Sequence, residues 1–316
     1  MEVSVIISTY NRCRNLPACI ACLDRQKQVD SLDWEIVIVD NNSSDETKTT
    51  VEHMKADCRF PIRYLFEPRQ GLSFARNRGI DDTTGRYLIF IDDDILVDEC
   101  WLSAIYETFV DFDCDAVGGR ILVDSPESLP DWIQPEMYGF LGHRDFGDQV
   151  FEMNGVDEFP FGGNMALHRR AIERAGKFNT GMGRKGDGSR RDELFKGEET
   201  DYFHRLAQAG GTMYYNPRAS VRHRILPYQL KKRFFRTIHF NAGYQKAAFD
   251  DKSYPRTVAG VPLFLLGQFG RSIMRYGAQL FSAGPAIAFR QQMNIGYFLG
   301  MIVGYYKHRT TKAGGV

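Results

Sequence analysis

The stretch Arg86-Tyr-Leu-Ile-Phe-Ile-Asp92-Asp93-Asp94 constrains the fold most tightly. It is an apolar, β-rich run that ends abruptly in three acids, which predicts a buried strand with carboxylates at its carboxyl end. In an open α/β sheet that edge is where ligands bind. Three adjacent carboxylates repel one another. A hard divalent cation with oxygen ligands relieves that repulsion and can also carry phosphate oxygens. Taken alone, the run is equally readable as a solvated acidic turn ahead of a helix that starts near Asp98.

The preceding residues repeat one pattern. Val3 to Ser8 reads as a strand, followed by a polar turn at Thr9-Tyr10-Asn11 and a helix from about Asn15 to Gln26. Trp34 to Asp40 is a second acid-ended strand, and Asn41 to Asp45 supplies turn and N-cap chemistry. A helix to about Lys55, a strand at 62–66 and a helix over 72–80 lead into the acid-ended run. Four strand–helix alternations predict a parallel sheet with right-handed crossovers. Asp40 and Asp92–Asp94 then share one sheet edge, which suits a nucleotide: one carboxylate for a base or ribose, the others for a metal on the phosphates.

Several rivals lose their signatures. Ser8 to Leu16 contains no glycine, so the dinucleotide fingerprint is absent, and no P-loop occurs anywhere. Lys plus Arg equals Asp plus Glu at 40 each, so the global charge carries no nucleic-acid footprint. No basic region followed by an apolar core opens the chain, so no signal peptide is expected. The six cysteines lack a disulfide framework and read as reduced thiols of a cytoplasmic protein. Cys19-x-x-Cys22 falls within a helix with no second pair or nearby His to make a zinc site.

Further along, 116–123 reads as a strand, and 124–160 as a long loop rich in Pro, Asp and aromatic residues. Phe161-Gly-Gly-Asn164 offers a glycine pair for close backbone approach to a ligand, or a plain turn. The loop 180–196 carries Arg184, Lys185, Arg190 and Arg191, either to close on a diphosphate or as a solvated surface. Glu198 and Glu199 open a helix, where acids suit the helix dipole or present a general base. His223 follows a short strand.

Seven pieces in this order resemble the inverting family 2 glycosyltransferases of GT-A fold, over about residues 2 to 225. They are Ser8-Thr-Tyr-Asn, Val39-Asp40-Asn-Asn-Ser-Ser-Asp45, Gly71-Leu-Ser-Phe-Ala-Arg76-Asn77-Arg-Gly79, Phe90-Ile-Asp-Asp-Asp94, Phe161-Gly-Gly-Asn164, Gly197-Glu-Glu199-Thr-Asp201 and His223. The resemblance implies an α/β GT-A fold: a mostly parallel sheet flanked by helices, with a C-terminal helical extension. It implies that Thr9, Asp40 and Arg76 hold the nucleoside, with Tyr10 against the base. Asp92 and Asp94 match the DxD motif, with Asp93 between them at the donor. Asp94 and His223 become ligands of Mn²⁺ or Mg²⁺, and Glu199 the catalytic base. The family more often has Asp where Glu199 stands, so Glu198 competes for the acceptor-facing place. The implied donor is a nucleotide-sugar, UDP-linked by analogy. The implied acceptor is a glycan or a polyprenyl-diphosphate-linked oligosaccharide at the cytoplasmic leaflet. The rival readings are a catalytically silent nucleotide-sugar-binding scaffold and an aspartyl-nucleophile phosphohydrolase. The latter usually has Thr or Val where Leu96 stands.

Composition changes after about Ile225, which divides the chain into 1–225 and 226–316. Lys231, Lys232, Arg233 and Arg236 cluster on a predicted helix. The uncharged stretches 257–270, 276–289 and 291–306 are shorter than the roughly 20 residues of a membrane span. Aromatic residues with basic flanks suit helices lying at a membrane surface. The alternative is an ordinary core or an interface between copies.

Overall fold

The structure is a computed structural model that describes residues 1–125, 128–186, 197–250 and 252–313. Two compact units emerge. The first comprises 1–126, 141–187 and 197–225, and the second 127–140, 188–196 and 226–316.

The first unit is built on one twisted sheet. Strands β1 (Val3–Thr9), β2 (Trp34–Asp40), β3 (Ile62–Phe66) and β4 (Tyr87–Asp92) alternate with helices α1 (Leu16–Asp24), α2 (Thr47–Asp57) and α3 (Leu72–Asp82). β1 and β2 are almost wholly buried, as expected for parallel strands covered on both faces. The four strands lie in the order β3-β2-β1-β4, all parallel. Thr9 pairs with Asp40 and Ser8 with Asp92. The two acid-ended strands therefore finish side by side, as the alternation predicts.

Beyond β4 the sheet departs from that pattern. β5 (Ile95–Val97), α4 (Trp101–Phe112), β6 (Ala116–Asp124), β7 (Phe151–Glu152), β8 (Met165–His168), α5 (Arg169–Ala175), α6 (Glu198–Gln208) and β9 (Met213–Arg224) follow. The short apolar run at 165–168 becomes β8, antiparallel to both β4 and β6 and lying between them. The pieces at 212–215 and 221–223 prove to be one strand, β9. Its register against β6 shifts between Gly119 and Ile121, opposite the segment holding Pro217. A proline lacks the N–H a ladder needs, so the irregularity belongs there. β9 also pairs antiparallel with β5, setting Ile95 opposite His223.

The second unit contains α7 (Lys232–Ala248), the ribbon β10 (Thr257–Val258) and β11 (Val261–Pro262), α8 (Leu263–Ser282) and α9 (Gly284–Ala313). Gly296, Gly300 and Gly304 recur every four residues and so share one face of α9. That face lies directly on α7. A Cβ on Gly300 would stand 2.0 Å from the Phe240 carbonyl oxygen, and one on Gly243 would stand 1.9 Å from that of Tyr297. The uncharged stretch 291–306 is thus an internal packing seam. Gly300→Ala forces two backbones apart and is expected to cost about 3 kcal/mol or more. Chemical denaturation of the full chain checks this, and a midpoint unchanged from wild type would contradict the seam. No helix among the described residues is long and apolar enough to cross a membrane.

Candidate active site

The site gathers at the carboxyl edge of β1, β2 and β4. Asp40, buried at the end of β2, accepts hydrogen bonds from Tyr64 Oη (2.7 Å) and the Ser43 amide (2.8 Å). Burial, and then Asp40 itself, push the Tyr64 phenol well above its usual range. Tyr10, half-buried, stands immediately after β1. The Thr9 hydroxyl donates to Asp93 Oδ2 at 2.7 Å.

Asp93 and Asp94 are buried, Asp92 is partly exposed, and cations compensate the cluster. Arg12 Nη1 lies 3.1 Å from Asp93 Oδ1 and 2.8 Å from Asp94 Oδ2, and Asn15 Nδ2 donates to Asp93 at 3.3 Å. Burial raises the pKa of Asp93, against the pull of Arg12. Asp92 is pushed up to about 6 by burial, with Asp94 and Asp93 adding and Arg76 opposing. Asp94 moves the other way: burial works against its charge, but His223, Arg12 and Arg184 outweigh it.

His223 reaches Asp94 because β9 pairs with β5 directly after the acid run. Its Nε2 lies 3.5 Å from Asp94 Oδ1. Its Nδ1 lies 2.6 Å from the Leu141 carbonyl oxygen, which can only accept, so Nδ1 carries the proton. That bond orients the ring with Nε2 toward the carboxylate, the arrangement found behind metal-binding histidines. Burial disfavours the imidazolium, but Asp94 more than compensates and raises the His223 pKa. Asp94 Oδ1 is buried and accepts no hydrogen bond among the described residues. A buried carboxylate oxygen faced only by an oriented imidazole fits a cation ligand pair. No group of three or more His, Cys, Asp or Glu able to hold a metal occurs among the described residues.

Arg76, expected on the nucleoside, has a side chain only 2% exposed. Nη1 donates to Glu198 Oε1 at 2.8 Å and Nη2 to the Gly162 carbonyl at 3.2 Å, with Asp92 Oδ1 3.7 Å away. A buried guanidinium with these partners joins the two acid groups of the site. The glycine pair follows from it, since a Cβ on Gly162 would stand 2.7 Å from Arg76 Nη2. Gly162 leaves room for this side chain. Asn164 is structural too. It donates to the carbonyls of Arg120 and Ala219 and accepts from Trp101 Nε1, tying together β6, β9 and α4.

Glu198 and Glu199 begin α6, and both are buried. Glu198 is taken up by Arg76. Glu199 Oε2 accepts no hydrogen bond among the described residues. Burial first, and the Glu199 carboxylate second, raise Glu198 to about 8 despite Arg76. For a carboxyl raised on folding, the stability carried by its proton is complete below the unfolded value of 4.5. It is lost as pH rises through about 8. Wild type should therefore lose stability across that window relative to Glu198→Gln, which has no proton to release. Thermal unfolding of both from pH 5 to 9 checks this, and parallel curves would contradict it.

Arg12 and Asn15 had no place in the sequence reading. The signal was present, because both closely follow a strand whose end lies beside the acid cluster. Arg190 and Arg191 lie outside the described residues. Cys19 and Cys22 are free thiols within α1.

A family model described as glycosyl transferase family 2 matches residues 4–176. The chain belongs to glycosyl transferase family 2. The glucosyl-dolichyl phosphate glucuronosyltransferase of Haloferax volcanii is 26% identical over 256 residues, covering 79% of this chain and 78% of its own. Among solved structures, the mannosyltransferase PcManGT of Pyrobaculum calidifontis, in complex with GDP-Man and Mn²⁺, superposes with TM-score 0.62. It is 16% identical and covers 97% of this chain and 87% of its own. Residues 1–349 of S. aureus TarS, in complex with UDP, give 0.54 at 14% identity, covering 98% of this chain and 92% of that one. These likenesses establish the GT-A fold. With the family and its glycosyltransferase relatives, they make the chain a glycosyltransferase acting in glycan biosynthesis.

Proposed function

We propose that this glycosyltransferase moves a sugar, with inversion, from a nucleotide-diphosphate donor to a hydroxyl of a glycan or polyprenyl-linked oligosaccharide. The observation that carries the proposal is Arg76, which ties Glu198 at the start of α6 to Asp92 at the end of β4. The acid cluster and the acid pair are thereby held in one site.

Thr9, Tyr10 and Asp40 stand where the nucleoside enters, with Asp92 and Asp93 at its diphosphate. Asp94 and His223 would hold Mn²⁺ or Mg²⁺, which supplies neutralisation of the departing diphosphate's charge. Glu199 takes the proton from the acceptor hydroxyl as that oxygen attacks the anomeric carbon. Arg76 occupies Glu198, while Glu199 Oε2 accepts no hydrogen bond among the described residues. One in-line displacement inverts the carbon and needs no nucleophile from the protein, unlike a retaining glycosidase. A silent scaffold would have no use for an unpartnered buried carboxylate oxygen on Glu199.

UDP is the proposed nucleotide, with GDP the competitor that the PcManGT complex brings in. The dolichyl phosphate in the name of the Haloferax relative supports a lipid-linked acceptor. In this reading the reaction runs at the cytoplasmic face of a membrane, with residues 226–316 as the peripheral attachment. Calorimetry with UDP, GDP and dTDP, each with and without Mn²⁺, tests the donor assignment. Tightest binding of UDP, present only with metal, is expected. Binding of none of them would overturn the nucleotide site.

A further inference from the structure

The global charge balance conceals a division along the chain. Residues 226–316 hold thirteen Lys or Arg and two Asp or Glu, and residues 252–316 hold no acid at all. Residues 1–225 carry the opposite excess, with 27 basic and 38 acidic side chains.

Within the basic segment, α8 shows a reversed pattern. The face carrying Leu265 packs inward with Ala247, Val261 and Met301. The opposite face is apolar and open. Leu263, Met274 and Phe281 are separated by eleven and seven residues, so they return to one side of the helix. Met274 is 68% exposed and Phe281 91% exposed. Leu266 and Ile273, also exposed, widen the stripe. It runs for about 27 Å at 1.5 Å per residue. Exposed Arg271 and Arg275 border it. Apolar surface of this extent, set in water, marks an interaction site.

We infer that the outward face of α8 lies in the interface of an anionic lipid surface, with Leu263, Met274 and Phe281 in the acyl boundary and Arg271 and Arg275 at the headgroups. This rests on the reading of a membrane-bound acceptor and names the element that delivers the enzyme to it. Charge selects lipid over a second copy. A two-fold contact through this face would bring the arginines of both chains together, with no carboxylate in 252–316 to pair them. Anionic headgroups pair them directly, and each basic residue near such a surface contributes to binding. An amphipathic helix of this kind lies on the membrane rather than crossing it.

The test is flotation of the full chain with vesicles of phosphatidylcholine alone and with phosphatidylglycerol added. The variants are Met274→Asp with Phe281→Asp, and Arg271→Glu with Arg275→Glu, at positions exposed enough to leave the fold intact. Wild type should float only with the anionic vesicles, and less in high salt. The charge variant should bind at least about thirtyfold more weakly, the loss expected from removing two basic residues alone, and the apolar variant at least as much so. UDP binding with Mn²⁺, measured alongside, should be unchanged in every variant. Vesicle binding that survives both double substitutions would overturn the inference. So would a wild-type dimer that the variants convert to monomers without any vesicle binding. Loss of UDP binding in wild type, with flotation intact, would instead count against the donor reading and leave the lipid surface standing.

Discussion

Glu199→Gln is expected to lower transfer about a hundred- to ten-thousandfold, the range a positioned general base contributes. The substitution keeps the side chain's length and its acceptor oxygen but removes its capacity to take a proton. Glu199 Oε2 accepts no hydrogen bond among the described residues, so no protein interaction at that atom is lost with the charge. The fold and the nucleotide site should therefore be intact, with the loss confined to kcat. Glu198→Gln is the control. Its carboxyl already holds Arg76 and keeps its proton to about pH 8, so its loss should appear as misplacement of Arg76. If Glu199→Gln turns over as wild type does and Glu198→Gln does not, the two roles are reversed.

Asp94→Ala is expected to abolish transfer through a different step. It removes the carboxylate that faces His223 Nε2 across 3.5 Å. The metal-dependent part of nucleotide binding should fall about a hundredfold or more, since even partners behind a metal ligand contribute ten- to a hundredfold. Arg12 loses Asp94 and keeps Asp93, so the site is not left with an unpaired cation. Asp94→Asn, which retains the side chain's shape, should show the same loss of metal dependence. Calorimetry with and without Mn²⁺ separates this from a folding defect. Equal nucleotide affinity in both conditions for wild type and variant would remove Asp94 and His223 from any metal role.

The sequence made the parallel half of the fold readable because its signals are local. Asp40 and Asp92 end apolar runs, and parallel pairing then leaves them little choice but the same edge. The rest depends on contacts distant in sequence. Nothing in Met165-Ala-Leu-His168 announces that it enters the sheet antiparallel between β4 and β6. The Phe161-Gly-Gly-Asn164 motif was visible, but its purpose was not. Its glycine admits a side chain from position 76 and its asparagine bonds to both β6 and β9. The Gly71 to Gly79 motif marks Arg76 for the nucleoside but not its bond to Glu198, because that partner lies 122 residues away. His223 looked like a lone strand-end histidine until β9 set it beside the acid run. On the C-terminal side, three similar apolar stretches separate only in three dimensions. The glycine seam of α9 faces α7, while α8 keeps its apolar stripe outward.

Release of nucleotide from UDP-, GDP- and dTDP-sugars by the purified chain, with Mn²⁺ and with chelator, tests the central claim most directly. The account predicts slow release from one class of donor, UDP-sugars first, present with the metal and absent with chelator. It further predicts that release is lost in Asp94→Ala and Glu199→Gln alike. Release that continues undiminished in chelator, or in both variants, would contradict it.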